Sequence, residues 1–472
     1  MSASPEEEPR IPRAVRSALE LCPFHHLPLY PLTFTLYTFR SSIFAPMKSA
    51  PSFRLSHLRW YICALLFLGS MVNYLDRGTI AIVAHDLQRI FSWTESDYGW
   101  IVFAFQLAYA VMMVVSGAVI DGLGTRIGYA LAMAWWSLAA IGHALARGIW
   151  SFAAARFLLG AGEAGNFPGA IKAVAEWFPK RERALSTGIF NAGTNVGAVA
   201  AYPLVGWLLL QWGWKAAFVG TGALGFVCLT LWLVFYRLPC DHPWISSTER
   251  AYIERSSDEG QEESPPEMPW RSIFGYRQAW GFTLAKFMTD PIWWFYIFWL
   301  PKYLIEARHF SIARLEIFGM IPFLAAAPGS VAGGWFSGFL MKRGWSVNRA
   351  RKTAMAVCAF SMPAVILAVF SPSPWWALGL ISLCTSAHQG WSANVFTLAS
   401  DIFAKRDVAS IVGVGGAAGA VGGMVIAPVA GYVLQYFRSY VPLFIVAGVM
   451  HPLAFALVEL LIPRVEPLKL QD

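Results

Sequence analysis

The sequence predicts an all-α membrane protein with twelve transmembrane helices, set out six and six. Windows of about twenty apolar residues, each able to cross a hydrocarbon layer of about 30 Å, recur twelve times. One long polar interruption falls between the sixth and the seventh. Charge is scarce: 14% of the 472 residues are charged and 57% hydrophobic, against about 25% charged in a soluble domain. With a mean hydropathy of +0.50, this excludes a disordered chain and a nucleic-acid binder and points to apolar surface facing lipid.

Residues 1–58 stand apart, with frequent Pro and Arg, an acidic run at Glu6, Glu7 and Glu8, and an apolar stretch near Phe34 too short to span. They are expected to form a poorly ordered cytoplasmic extension without a cleaved signal peptide, and Met47 offers an alternative first residue. The first window, 60–84, carries Asn73, Asp76 and Arg77. The second and third, 98–120 and 127–146, flank a short loop with Asp121 and Arg126, where Gly117 and Gly124 permit tight turns. The fourth, 150–173, holds Arg156 and Glu163 among small residues that favour close helix packing, and Pro168 is expected to break it near mid-membrane. The fifth, 184–209, has a polar patch of Asn191, Thr194 and Asn195, and the sixth covers 214–236.

The interruption, 237–278, contains the acidic, Pro-ended run from Asp258 to Pro266. The seventh window, 279–304, places Lys286 and Asp290 ahead of Pro291; the eighth and ninth are 316–340 and 352–370. The tenth, 374–397, has the polar set His388, Gln389, Trp391, Ser392 and Asn394. The eleventh, 409–435, has a glycine run from Gly413 to Gly423 that suits close packing or bending; lacking a preceding strand and a terminal Lys-Ser/Thr, it is no phosphate loop. The twelfth is 440–462. Domain limits follow: 1–58 extension, 59–236 first half, 237–278 central loop, 279–463 second half and 464–472 tail.

The formal charge of +8 is an orientation signal, because the basic residues gather in short loops. Sixteen Lys and Arg residues, from Arg126 to Arg406, fall in loops on one side, and seven, from Arg89 to Arg438, on the other. The positive-inside bias puts both termini and the central loop in the cytoplasm. The six cysteines show no Cys-x-x-Cys pair and no metal-ligand spacing, so they read as small buried hydrophobes, with no metal or cofactor expected. An internal repeat supports the division: the loop from Gly117 to Arg126 recurs six windows later from Gly334 to Gly344, with Gly338 in place of the acid Asp121.

At these residues the chain resembles the major facilitator superfamily, and within it the anion:cation symporter family that includes bacterial hexuronate and aldonate transporters. The resemblance covers about residues 56–464 and rests on the stretches Asn73 to Arg77, Gly117 to Arg126, Arg156 to Pro168 and Glu176 to Arg183. Asp290 to Trp294 and Ala387 to Trp391 look most like the hexuronate branch. The resemblance implies two six-helix bundles around a central cavity that opens alternately to either side. It further implies that Arg77 holds a substrate carboxylate, that Tyr74 and Tyr109 contact the sugar acid, that Asp76 and Glu163 take part in proton coupling, and that Arg156 pairs with Asp76.

Read physically, an ionisable side chain within a bilayer faces a cavity or a partner and is by default functional. Asp76 and Arg77 are consecutive, about 100° apart on a helix, so they point to different places. If the first helix ends early at Asn73, both sit instead in water at its mouth. Arg156 and Glu163 lie seven residues apart, roughly 10 Å along one stripe; a structural ion-pair network accounts for Arg156 nearly as well as a functional role. Lys286 and Asp290 can pair on one helix face, as a substrate contact or as an internal ion pair. Trp293, Trp294 and Trp299 read as interfacial belt residues or as a cavity wall for a sugar ring. Gln389, Trp391 and Asn394, with Asn191 and Asn195, are candidates for recognising substrate hydroxyls, with interhelical hydrogen bonding as the alternative. Asp121 and Arg126 read as a gate that bonds to helix ends in one conformation and releases in the other.

The expected function is therefore import of a sugar-acid anion with protons across the plasma membrane by a monomer. Another organic anion, anion exchange and a non-transporting sensor are the alternatives. An enzyme would need a nucleophile and base, or metal ligands, at one membrane depth, and the sequence offers no such set.

Overall fold

The computed structural model describes residues 54–258, 274–309 and 318–468, and Arg54–Asp472 forms one compact unit. The N-terminal extension up to Phe53 and most of the acidic run lie outside the described residues.

The first half opens with α1 (Leu58–Phe91) and α2 (Glu95–Leu123). Thr94 and Asp97 close a reciprocal cap at the start of α2, which satisfies two backbone N–H groups that a helix start leaves open. Then come α3 (Thr125–Gly142), α4 (Ile149–Glu163) and α5 (Asn166–Trp177). The fourth crossing is thus a broken helix. The break falls at Ala164 and Gly165, ahead of Pro168, which sits in the first turn of α5 where its missing N–H forfeits no helical bond. As a result, Glu163 ends one helix segment and Asn166 begins the next.

α6 (Lys180–Phe235) is 56 residues long, about 84 Å if straight and far more than one crossing requires. It folds back at Gly213, whose φ of +80° is accessible to glycine at little cost, and so supplies the fifth and sixth crossings. The central stretch expected to be loop carries a helix, α7 (Ser247–Asp258). Glu249 of α7 accepts from the backbone N–H of Leu58 and Arg59 at 2.8 and 3.2 Å and pairs with the Arg59 guanidinium, so a loop carboxylate caps the start of α1.

The second half comprises α8 (Arg277–Glu306), α9 (Ile321–Lys342), α10 (Val347–Ser361), α11 (Ala364–Phe370), α12 (Pro374–Ile402), α13 (Val408–Phe437) and α14 (Val441–Leu461). α10 and α11 form one crossing broken at Pro363, so twelve crossings are present among the described residues. Among the described residues seven stretches are long and apolar enough to cross a membrane, one of them formed by α10 and α11 together. α8 and α12 are not among them, and both carry polar side chains that line the cavity. Large apolar side chains stand on the outer surface, among them Trp150, Leu210 and Leu460, as expected of a lipid-facing wall.

Between the halves, α2 packs on α13 and α6 on α9, whereas α1 and α8 pack within their own halves. Backbone approaches backbone closely at two inter-half crossings. A Cβ on Gly117 would strike the Ala409 carbonyl, and one on Gly334 the Ala184 carbonyl.

Candidate functional site

A cavity lies between the halves, enclosing about 580 Å³ when its open side is counted. Arg77 enters it from α1. Its Nε donates to Glu163 Oε2 at 2.9 Å, and the guanidinium is flanked by the rings of Tyr74, Tyr109 and Phe105 at 4.3, 4.7 and 5.1 Å. Its Nη2 has no hydrogen-bond partner among the described residues, and neither has Glu163 Oε1. The pair therefore keeps one donor and one acceptor in reserve.

Asp76, one position away, faces elsewhere, as the helix geometry requires. It is buried beside Thr221 of α6, and neither of its oxygens makes a well-formed hydrogen bond. The expected Arg156–Asp76 ion pair is not formed. Arg156 donates through Nη1 to the Arg77 carbonyl at 3.2 Å, leaving Nε and Nη2 without hydrogen-bond partners. The backbone oxygen of α1 takes the guanidinium while the Asp76 carboxylate turns to α6.

From the second half, α8 contributes Lys286 and Asp290, paired at 2.8 Å, with the ammonium 4.0 Å above the Phe396 ring. Trp293 and Trp294 line the cavity, which places both in its wall. The Trp293 ring stacks on His388, and His388 Nδ1 meets His451 Nε2 at 3.0 Å. Asn191 of α6 donates to Gln389 Oε1 at 2.6 Å and to Ser330 Oγ at 3.0 Å, tying the halves together at the cavity lining.

Of the residues singled out for substrate, Arg77, Tyr74, Tyr109, Asn191 and Gln389 line this cavity together. Asn195, Trp391 and Asn394 are buried outside its lining. Trp391 donates to Thr289 Oγ1, and Asn394 to the carbonyls of Gly333 and Gly390, which are contacts between and within helices. The apolar lining residues Met113, Phe167 and Phe396 were not anticipated, since a lone apolar residue in an apolar span carries no sequence signal.

The end of the molecule that bears Asp121 is closed by charge. Asp121 accepts from the N–H groups of Ala409 and Ser410 at 3.3 and 2.7 Å, the start of α13 in the opposite half, and pairs with Lys172 at 2.5 Å. A carboxylate at a helix N-terminus satisfies free donors and meets the positive end of the helix dipole. Lys172 also donates to the Arg406 carbonyl, again across the halves. Arg126 donates to the Leu233 carbonyl near the end of α6. Beside them Asp401 binds Arg183 and Arg351 at 3.3 and 3.0 Å, joining α6, α10 and α12. Where the repeat lacks an acid, the Gly338 backbone lies against the Arg181 carbonyl. Lys172 and Asp401, which form these ion pairs, were missed; an ionisable residue in or beside an apolar window was the available signal.

Two helical halves, sealed against each other at one end and enclosing a charged cavity within a lipid-facing shell, define a multi-pass membrane transporter rather than an enzyme. The chain belongs to the major facilitator superfamily, whose description matches residues 66–424. Its similarity to the hexuronate transporter of Escherichia coli strain K12 is 33% identity over 366 residues, 77% of this chain and 84% of the relative. A probable galactarate/D-glucarate transporter of the same strain is 28% identical over 400 residues, covering 81% of this chain and 90% of that one. In fold, a structure of the proton:xylose symporter XylE bound to 6-bromo-6-deoxy-D-glucose matches with a TM-score of 0.70 at 16% identity, covering 86% of this chain and 96% of that one.

Proposed function

We propose that the protein imports a sugar acid, a hexuronate or an aldonate, together with protons, by alternating exposure of the central cavity. The observation that carries this reading is the Arg77–Glu163 pair. A guanidinium is a planar fork suited to a carboxylate, and Arg77 has its Nε occupied while Nη2 stays without a protein partner. The rings of Tyr74 and Tyr109 hold it in place and offer flat faces to a sugar. The relatives named above support a sugar-acid cargo.

Coupling follows from competition for one cation. An anion that engages Arg77 draws it from Glu163, and the bare carboxylate in an apolar setting is stabilised by a proton, for which Oε1 is unoccupied. Proton and anion thereby favour each other's binding, a reciprocity that thermodynamics imposes. Asp76 and Arg156 supply a second buried acid and a second buried cation. The anion then crosses with its charge neutralised.

The positive-inside bias assigns the Asp121 end to the cytoplasm, so we read this conformation as closed inward, with Asp121 as the latch and Arg126, bonded to the Leu233 carbonyl, as its neighbour in the gate. We take the protein as a monomer in a bacterial inner membrane with both termini cytoplasmic. Removing the latch with Asp121→Ala should shift the equilibrium toward the inward-open form by about 1–2 kcal/mol, the worth of a helix cap. That is roughly five- to thirty-fold. A cysteine introduced as Ser410→Cys should then label faster with an impermeant maleimide in inside-out vesicles. Unchanged labelling would contradict the latch.

The function itself is tested by uptake into proteoliposomes under an imposed pH gradient, with a panel of hexuronates, aldonates and neutral sugars. Acid outside should drive accumulation of at least one sugar acid and of no neutral sugar. Uptake of neutral sugars would reject the carboxylate clamp, and indifference to the pH gradient would reject symport.

A further inference from the structure

We infer that Asp290 makes the cavity selective for sugar acids with a single carboxylate, rejecting those that carry one at each end. This deepens, and rests on, the sugar-acid reading above.

Two cations line the one cavity, Arg77 from the first half and Lys286 from the second. A pair of cations facing each other would by itself grip a dicarboxylate, but the exposure of each ion pair argues otherwise. At Arg77 the acid is the hidden member: the Glu163 side chain is 0% exposed and that of Arg77 14%. At Lys286 the order is reversed, with the Asp290 side chain 21% exposed and that of Lys286 6%. Lys286 is sunk over the Phe396 ring, where a cation is held by the ring face.

The cavity therefore presents a guanidinium from the first half and a carboxylate from the second. A helix of the same half lies close behind Asp290. Gly419 of α13 lies against its carboxyl group, and even a Cβ there would collide with Oδ2. This accounts for one member of the glycine run, which transport by the Arg77 pair leaves unused.

A carboxylate accepts hydrogen bonds and donates none. It suits the hydroxyl-bearing end of a hexuronate whose own carboxylate sits on Arg77. A C6 sugar dicarboxylate would bring its second negative group against Asp290, and like charges brought together in an interface are strongly unfavourable. The two relatives described above carry names from the two sides of this division, and the geometry places this chain with the hexuronate side.

The test measures how well galacturonate and galactarate displace a labelled hexuronate from the purified protein in proteoliposomes. In the wild-type protein galactarate should compete more than about tenfold less well than galacturonate. Asp290→Asn removes the charge and leaves Lys286 unpaired, so galactarate should gain about tenfold while galacturonate weakens. The wild-type comparison needs no substitution and decides the matter even if the variant does not fold. Equal competition by the two acids in the wild type overturns the inference and leaves the sugar-acid reading standing. Binding of neither acid overturns both. A folded Asp290→Asn that loses pH-driven accumulation without gaining galactarate assigns Asp290 to proton transfer and also overturns the inference.

Discussion

Arg77→Ala is expected to abolish substrate binding and uptake. Truncating one partner of a buried, hydrogen-bonded charge pair costs about 2–5 kcal/mol, a loss of roughly thirty-fold at the least in affinity. The substitution removes the cation that the anion engages and also leaves Glu163 without its counter-charge at 2.9 Å. Arg77→Lys separates charge from geometry. A lysine restores a positive charge but neither the fork nor the flat stacking among Tyr74, Tyr109 and Phe105, so binding should recover only in part. Scintillation proximity binding of a labelled hexuronate reads both variants, and wild-type affinity in Arg77→Ala would refute the clamp.

Glu163→Gln should separate transport from its driving force. Glutamine keeps an oxygen that accepts from Arg77 but carries no charge to be neutralised. Exchange of internal for external substrate needs no net proton movement and should persist. Concentrative uptake should vanish: one proton carried with each monoanion supports about tenfold accumulation per unit of pH difference, and the variant should settle near equality. If Glu163→Gln still concentrates substrate, the proton travels on another acid, with Asp76 the buried alternative.

The number and order of the crossings were legible because the bilayer imposes a length of about twenty apolar residues, which sequence displays directly. The polar residues of the site were legible for the complementary reason: Arg77, Glu163, Lys286 and Asp290 are conspicuous in apolar windows. Their pairings were less so. Lys286 and Asp290 lie four apart on one helix, and spacing alone allows their ion pair. Arg156, by contrast, meets the carbonyl of Arg77 rather than Asp76, because its partner depends on how α4 is rotated against α1, which no periodicity encodes. The same holds for the inter-half latch. Asp121 was evident as a loop acid, but its partners Ser410 and Lys172 stand far from it in sequence. The break in the fourth crossing was foreseen from Pro168 and occurs slightly earlier, where Ala164 and Gly165 keep right-handed helical dihedrals but the helical hydrogen-bond ladder is interrupted, which leaves the proline in a first turn. Polar character in α12 was visible but its allotment was not: Gln389 faces the cavity, whereas Asn394 is spent on backbone carbonyls.

The most direct measurement is calorimetry of hexuronate binding to the purified protein in buffers that differ in ionisation enthalpy, across a series of pH values. If Arg77 passes from Glu163 to the cargo, the wild-type protein takes up protons as it binds the anion, and Glu163→Gln binds with that uptake lost. Binding that moves no protons at any pH, or uptake unchanged in Glu163→Gln, would contradict the exchange of partners at Arg77.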